Sequence, residues 1–217
     1  MLRWLASFPR SGNSFFRVVS KNLFDHEIYS IYPEKRAPVE AIGGLDHIRQ
    51  SQEIYLLKTH EAIPDQNPAV YLVRDGRDVL VSYAMYTLTS RENPDRAITP
   101  GEFQNQLKSV ILSDQFGGWS GNVMSWIGRP VTTHLVRFED LISRPEEVVA
   151  DSLRTMDMRV IKKRAAKLMT FETLHDRDPH LFRKGKIGDW KDKMTDELHE
   201  LFWKKHGHAM LAIGYSR

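Results

Sequence analysis

Short apolar runs alternate with one-sided helical patterns along this chain. Four runs have the length of buried strands, namely residues 2–6, 54–58, 69–73 and 131–138. Helical patterns follow three of them: apolar positions within residues 16–23, a stretch over residues 77–88 with Asp75 or Gly76 near its cap, and a helix that starts at Pro145. Strands that are each followed by a helix predict an α/β fold with a central parallel sheet flanked by helices.

The chain length fits one core, because 217 residues are within the range of a single domain. We therefore expect one domain over residues 1–217. Three stretches are predicted to be excursions from that core: residues 30–51, 90–118 and 176–189, the last being a polar loop.

Composition excludes several classes of protein. There is no cysteine, which excludes disulfides, thiolate metal sites and a cysteine nucleophile. The chain has no apolar run near the roughly 20 residues of a membrane helix and no secretion-signal pattern, so we expect a cytoplasmic protein without a membrane contact. The net charge of +3 tolerates an anionic ligand without indicating nucleic acid.

Residues 7–17 are the first candidate for chemistry. A strand, a tight polar turn with Arg10 and Gly12, and a helix start form the arrangement of a phosphate-binding loop, where backbone N–H groups and the helix dipole meet an anion. The segment is not a Walker A loop, because no Gly-Lys-Ser or Gly-Lys-Thr follows. The alternative is an ordinary strand-to-helix turn capped by Ser and Asn.

Two further segments suit a second anionic group. Arg74 follows a predicted strand, and Ser82 lies seven residues after Asp75, two helical turns along the same face. Residues 182–191 carry adjacent cations, two glycines and a tryptophan, which favours a shaped site over a solvated surface loop. Parallel sheets bind ligands beyond the carboxyl ends of their strands, so Arg10, His60 and Arg74 are expected to share one crevice.

These segments resemble the cytosolic-type sulfotransferases that use 3′-phosphoadenosine 5′-phosphosulfate (PAPS). The similar stretches are Pro-Arg-Ser-Gly-Asn-Ser-Phe at residues 9–15, Arg-Asp-Gly-Arg-Asp-Val-Leu-Val-Ser-Tyr at 74–83 and Arg-Lys-Gly-Lys-Ile-Gly-Asp-Trp-Lys at 183–191. Lys-Thr-His at residues 58–60 and Leu-Val-Arg-Phe-Glu-Asp-Leu at 135–141 resemble two more family segments. The resemblance implies the P-loop-NTPase-like sulfotransferase fold.

The resemblance also implies how the donor is held. The 5′-phosphosulfate would be cradled by Arg10, Ser11, Gly12, Asn13, Ser14 and Phe15. The 3′-phosphate would be bound by Arg74, Ser82, Arg183, Lys184 and Gly185. Adenine would lie near the rings of Phe15, Phe138 and Phe171, on which it could stack.

His60 is the catalytic base that the resemblance implies, since imidazole suits proton removal from a hydroxyl near neutral pH. Lys58 and Arg10 would stabilise charge on the transferring sulfonyl and on the leaving oxygen. We expect in-line transfer to a small-molecule hydroxyl, with an amine as second choice, leaving adenosine 3′,5′-bisphosphate (PAP) as product. No metal is expected: His175, Asp176, Asp178 and His180 fit a polar loop better than a ligand set.

Several positions depart from the family pattern. Arg10 replaces a lysine, and arginine keeps the positive charge but does not readily donate a proton. Phe15 and Phe138 replace tryptophan and tyrosine. The family's dimer motif is matched in part, with Asp196 where valine belongs, so we expect a monomer or weak dimer. Its matching positions are Lys191, Thr195 and Glu200. The chain lacks the N-terminal extension of longer members, which predicts a smaller or more open acceptor pocket.

Two alternatives from other classes stay open, a P-loop-type kinase and a non-catalytic nucleotide or polyanion binder. The missing Gly-Lys-Ser/Thr disfavours the kinase, and the presence of Lys58 with His60 disfavours the binder. Nucleic acid is not an expected partner, because the basic residues fall in loops. The acceptor is undetermined, and its candidate lining residues could equally be core: Tyr29, Tyr32, Tyr86, Phe116 and Trp119.

Overall fold

A computed structural model describes residues 1–33, 37–63, 65–164, 166–182 and 185–217, without the side chains of residues 171 and 172. The chain forms two compact units. The first comprises Met1–Val73 and Ser125–Leu168, and the second comprises Arg74–Met124 and Met169–Arg217. The expected single domain stays a prediction.

A five-stranded sheet organises the first unit. Its strands are β1 (Leu2–Ser7), β2 (Tyr29–Ser30), β3 (Tyr55–Thr59), β4 (Ala69–Val73) and β5 (Thr133–Arg137). They lie in the order β2-β3-β1-β4-β5, and every neighbouring pair is parallel. Apolar runs without polar alternation are typical of strands that are covered on both faces, and β4 is buried throughout. The predicted α/β fold with a central parallel sheet is confirmed.

Helices connect and cover these strands in the first unit and form most of the second. They are α1 (Asn13–Phe24), α2 (Gly44–Gln50), α3 (Gly76–Leu88), α4 (Pro100–Leu112), α5 (Gly118–Ile127), α6 (Phe138–Ser143), α7 (Pro145–Thr155), α8 (Phe171–Arg177) and α9 (Asp196–Ala212). The predicted helices at residues 16–23, 77–88 and from Pro145 are confirmed as α1, α3 and α7. Asp75 caps α3, because its carboxylate accepts the backbone N–H of Arg77.

The fourth strand is shorter in the structure than the sequence predicts. Residues 131–138 were expected to be extended, but β5 ends at Arg137 and Phe138 begins α6. Glu139 and Asp140 fall in the first turn of that helix, where acidic side chains interact favourably with the helix dipole. This change of direction matters because Phe138 packs against the loop that follows β1.

The predicted excursions contain helices of their own. Residues 30–51 include α2, and residues 90–118 include α4, which begins with a capping box formed by Thr99 and Glu102. Among the described residues, no helix combines the length and the apolar character that crossing a membrane requires.

A buried histidine lies among the helices of the second unit, where α3, α4 and α9 pack together. His206 on α9 is fully buried. Its Nε2 donates to the Ile111 carbonyl (3.0 Å), which can only accept, so Nδ1 accepts the hydroxyl proton of Ser120 (2.9 Å). Burial lowers the pKa of His206 to about 4, and the charges of Lys205 and His208 act in the same direction. The ring is therefore neutral in the folded protein near neutral pH.

We expect His206 to make the fold sensitive to acid. Its folded-state pKa of about 4 is below the ordinary value, so unfolding takes up a proton as pH falls from about 6.5 toward 4, and the stability present above that range is lost. The free energy of unfolding should fall by roughly 2 kcal/mol more between pH 7.5 and 5 in the wild type than in His206→Gln, measured by urea titration. His208→Gln, at an exposed position of the same helix, is the control. Equal pH slopes for wild type and His206→Gln would contradict the prediction.

Candidate active site

The loop after β1 turns sharply into α1. Arg10 and Gly12 both have positive φ angles, 71° and 100°, so the backbone is left-handed at two positions of this short turn. Glycine is required at position 12 for a second reason. A Cβ there would come within 2.8 Å of Cδ2 of Phe138, which is a clash with a ring in the core of the first unit. The turn is therefore compact, with Arg10 three residues before the first residue of α1.

The beginning of α1 has no side-chain cap among the described residues. The alternative of a turn capped by Ser and Asn is therefore not what this part of the chain shows. The amide of Asn13 instead donates back to β1, to the Leu5 carbonyl (3.3 Å) and to the Ser7 hydroxyl (3.2 Å). The first N–H groups of a helix need an acceptor, and together with the helix dipole they favour an anion.

Lys58 and His60 project from the end of the neighbouring strand. Lys58 is the fourth residue of β3, and His60 follows the last residue of that strand. Because side chains alternate across a strand, residues two apart point to the same face. The pairing of β1 with β3, in which Ala6 lies opposite Thr59, brings this end of β3 to the end of β1.

The imidazole of His60 is oriented by the backbone of β1. Its Nδ1 lies 2.8 Å from the carbonyl oxygen of Ser7 and 3.4 Å from the Ser7 hydroxyl. A carbonyl oxygen only accepts, so Nδ1 carries the proton of the neutral ring and Nε2 is the basic nitrogen. This tautomer is the one that a general base acting through Nε2 requires.

Tyr32 contacts both of these side chains. Its hydroxyl accepts the backbone N–H of His60 (2.7 Å), and its ring stacks on the imidazole with centroids 5.6 Å apart and planes 23° apart. The ammonium nitrogen of Lys58 lies 5.3 Å from the centroid of the same ring. Burial raises the pKa of the Tyr32 hydroxyl, which keeps it protonated. The sequence indicated Tyr32 only as an acceptor-lining or core candidate, since nothing local links it to residues 58–60.

The second unit contains three of the predicted donor-binding residues, Arg74, Ser82 and Gly185. Arg74 is buried and donates to the carbonyl of Lys186 (2.8 Å), and its guanidinium lies 3.9 Å from the Asp78 carboxylate. Ser82 is buried on α3. Gly185 has a φ of 60°, the left-handed conformation that glycine tolerates. The unit thus places Arg74 against the segment that follows Gly185.

Asp78 anchors that segment, a role that the sequence did not indicate. Its buried carboxylate accepts the backbone N–H groups of Gly188 (2.7 Å) and Trp190 (3.0 Å). Burial raises the pKa of Asp78, while Arg74 and the two N–H groups lower it. Its position four residues after Arg74 is the one local signal, because Asp78 lies in the first turn of the helix that begins just after Arg74.

The ring of Trp190 is fixed as well. The Arg77 guanidinium lies 4.0 Å from its centroid and is paired with the Asp75 carboxylate (2.7 Å), and the imidazole of His199 stacks on the ring at 5.2 Å. The tryptophan in residues 182–191 therefore belongs to a packed structure rather than to a solvated loop.

Some predicted site residues stay untested. Arg183 and Lys184 lie outside the described residues, and the side chain of Phe171 is likewise not described. Phe15 and Phe138 are buried in the first unit, and Ser11 and Ser14 lie with Gly12 and Asn13 where the loop meets α1. Stacking of adenine on Phe15 or Phe138 stays a prediction.

Three of the four polar residues considered as metal ligands have other partners. Nδ1 of His175 donates to the Phe182 carbonyl (2.7 Å), the His180 ring stacks on Tyr86 at 4.3 Å, and Asp178 pairs with Arg91 (3.1 Å). Within the described ranges, no three His, Asp or Glu side chains are grouped in a way that could hold a metal ion.

The remaining acceptor candidates differ in exposure. Trp119 is fully buried and packs against Phe202, so it is a core residue. Tyr29 is half-buried beside Tyr55, and Tyr86 stacks between Tyr83 and the His180 ring.

The partial dimer motif coincides with the start of α9. Thr195 caps this helix by accepting the N–H of Leu198, Asp196 is in its first turn, and Glu200 pairs with Arg217. Helix capping and the helix dipole account for Thr195 and Asp196 without a dimer, and the oligomeric state stays a prediction.

Comparisons with known proteins place this geometry in a family. Residues 4–212 match the model of the sulfotransferase domain. Sulfotransferase 1B1 of Mus musculus is 24% identical over 240 residues, covering 91% of this chain and 79% of its own length. Sulfotransferase 1A1 of Rattus norvegicus is 24% identical over 248 residues, with coverages of 95% and 83%.

Solved structures show the same fold. The crystal structure of mouse sulfotransferase SULT7A1 complexed with PAP has a TM-score of 0.69 at 18% identity and covers 96% of this chain and 83% of that one. Retinol dehydratase, in complex with androsterone and PAP, has a TM-score of 0.62 at 18% identity, with coverages of 96% and 80%. Because the sulfotransferase model matches almost the whole chain, this protein belongs to the sulfotransferase family.

Proposed function

We propose that this sulfotransferase moves the sulfonyl group of PAPS onto the hydroxyl group of a small molecule, with His60 as the base. The observation that carries the proposal lies within the first unit. His60 presents Nε2 as its basic nitrogen, follows the strand that carries Lys58, and is bound through Ser7 to the strand that leads into the Arg10 loop. A base, two cations and an uncapped helix start are the groups that sulfonyl transfer from an anionic donor requires.

The loop and the start of α1 fit the phosphosulfate end of PAPS. Residues 10–15 would bind it with the help of the backbone N–H groups of the first helical turn, since the N-cap residue of α1 is Gly12, which makes no side-chain cap bond. Arg10 adds a charge that can contact two oxygens at once. Phe138 leaves no room for a Cβ at position 12, so the backbone of the loop packs closely against the Phe138 ring.

The adenine of PAPS would lie near Phe15, Phe138 and Phe171, of which Phe15 and Phe138 are buried. We infer that Arg74 and Ser82 bind the 3′-phosphate together with Arg183, Lys184 and Gly185. Arg74 is held by Lys186 and Asp78, which restricts its guanidinium before any ligand binds. Asp78 also fixes the segment that continues from Gly185, and this preorganisation would favour tight binding of the 3′-phosphate.

The reaction follows from these positions. The acceptor oxygen forms a bond to sulfur while the bond from sulfur to the bridging oxygen of the phosphosulfate breaks, and PAP leaves with that electron pair. The hydroxyl proton goes to Nε2 of His60. Lys58 and Arg10 stabilise the negative charge that grows on the sulfonyl and on the leaving oxygen. Arg10 acts as a fixed charge, because guanidinium does not give up its proton in proteins.

A small hydroxyl compound is the acceptor class that the similar structures support. Androsterone and retinol, which are bound in two retinol dehydratase structures, are both alcohols. We infer an alcohol or phenol for this chain, with an amine as second choice. A cytoplasmic location, a single functional domain and a monomer or weak dimer remain our expectations.

A donor-dependent acceptor screen tests the proposed reaction. Purified protein with PAPS should add one sulfonyl group to a member of a pool containing 2-naphthol, a primary alcohol, a sugar and an aromatic amine, detected by mass spectrometry. The reaction should persist in a metal chelator and should fail with ATP in place of PAPS. Dependence on Mg²⁺ and ATP would indicate the kinase alternative, and PAP binding without any product would favour the non-catalytic binder.

His60→Ala should abolish transfer while leaving donor binding intact. Loss of a general base is expected to lower kcat by about 10²–10⁴-fold, because the hydroxyl proton then has no acceptor on the protein. The dissociation constant of PAP, measured by calorimetry, should stay within about twofold of the wild type. His208→Ala, which removes an exposed histidine, is the matched control. Turnover near the wild-type rate in His60→Ala would exclude His60 as the base.

Arg74→Ala should weaken binding of the 3′-phosphate selectively. Charge-assisted hydrogen bonds contribute about 1.5–3 kcal/mol, so affinity for PAP should fall by roughly tenfold or more. Affinity for adenosine 5′-monophosphate, which has no 3′-phosphate, should change much less. Arg96→Ala, at an exposed arginine of the same unit that pairs with Glu102, is the control. An equal loss for both nucleotides would show that Arg74 supports the fold rather than the phosphate.

A further inference from the structure

We propose that Tyr32 is a positioning residue that holds Lys58 and His60 in their reactive arrangement. This inference rests on the proposed function, because it assigns Tyr32 a role toward the two side chains that the reaction would use. Three contacts carry it: the hydroxyl on the His60 backbone, the ring on the imidazole, and the same ring near the Lys58 ammonium.

The sheet register brings Tyr32 to the level of His60. In the parallel pair of β2 and β3, Ser30 lies opposite Lys58, and the N–H of Ile31 donates to the Lys58 carbonyl (3.4 Å). Continuing that register by two residues beyond each strand places Tyr32 opposite His60. The Tyr32 N–H then turns back to the hydroxyl of Ser30 (3.1 Å), which ends the strand.

The Tyr32 hydroxyl replaces a strand partner for the His60 backbone. β3 ends at Thr59, so the N–H of His60 lies just beyond the strand. The hydroxyl accepts this N–H at 2.7 Å in a partly buried setting. A buried donor that loses its acceptor costs free energy and gains mobility, so the hydroxyl fixes the backbone from which the imidazole projects.

The Tyr32 ring then fixes the imidazole itself. The near-parallel stack restricts one face of the imidazole, while the Ser7 carbonyl holds Nδ1 in the ring plane. With one face and one edge defined, the direction of Nε2 is defined too. The π face of a tyrosine ring also attracts cations, which favours both the Lys58 ammonium and the imidazolium that forms when His60 takes a proton.

Three variants separate the ring from the hydroxyl. Tyr32→Phe keeps the ring and removes the acceptor of the His60 N–H, whereas Tyr32→Leu removes both. The control is Tyr55→Phe, which removes another tyrosine hydroxyl of the same sheet, one that donates to Glu53. With the acceptor found in the screen, we expect kcat to fall at least tenfold in Tyr32→Leu and less in Tyr32→Phe. The dissociation constant of PAP should stay within twofold in both. A purely structural role would not lower kcat while leaving the dissociation constant of PAP unchanged, and phenylalanine would not restore part of the rate.

Two measurements on His60 need no acceptor compound. In ¹⁵N spectra of the imidazole, the Nδ1–H tautomer should dominate in the wild type, Tyr32→Phe and Tyr55→Phe, and should lose its dominance in Tyr32→Leu. Hydrogen exchange of the His60 amide should accelerate at least tenfold in Tyr32→Phe, while the Thr59 amide keeps its rate. The exchange result remains decisive if Tyr32→Leu fails to fold.

The outcomes distinguish this inference from the proposed function. If His60→Ala loses turnover but Tyr32→Leu keeps its wild-type kcat and tautomer, the role of Tyr32 is wrong and the proposed base stands. If the His60 amide exchanges at the wild-type rate in Tyr32→Phe, the contact is not the one that holds the backbone, and the inference is overturned. If His60→Ala keeps its turnover, the proposed function itself fails, whatever Tyr32 does.

Discussion

The parallel pairing of β1 with β3 is the interaction on which the candidate active site depends. Its register sets Ala6 opposite Thr59, so that the Ser7 carbonyl at the end of one strand meets Nδ1 of His60 at the end of the other. The same Ser7 accepts the Asn13 amide from the first residue of α1. One strand end therefore orients the base and holds the helix start, and a register slip of one residue would turn Lys58 and His60 to the opposite face.

Close packing around Gly12 supplies the second constraint. The left-handed conformations of Arg10 and Gly12 are costly for most residues, and such backbone is found where the surrounding structure enforces it. At position 12, Phe138, more than a hundred residues later in the chain, also excludes any residue with a Cβ. The helix start that results is left without a side-chain cap in the described structure, which is unfavourable for an isolated helix but suits a site for an anionic donor.

The second unit uses buried charge for a different purpose. Both carboxylate oxygens of Asp78 accept backbone N–H groups of residues 188–190, and the Arg77 guanidinium lies on the ring of Trp190. A buried carboxylate is expensive unless hydrogen bonds and a cation compensate, and Arg74 supplies that cation. The arginine that we assign to the 3′-phosphate is thus part of the same structure that shapes the segment after Gly185.

The sequence alone determined the features that arise from neighbouring residues. Apolar runs located β1, β3 and β4, the cap at Asp75 located α3, and the motifs around Arg10, Lys58-Thr59-His60 and Arg74 indicated the family. What only the tertiary structure decided depends on contacts between distant residues: the end of β5 before Phe138, the two bonds of Asp78, the tautomer of His60 and the position of Tyr32. These are set by strand register and side-chain packing, for which a local pattern carries no signal.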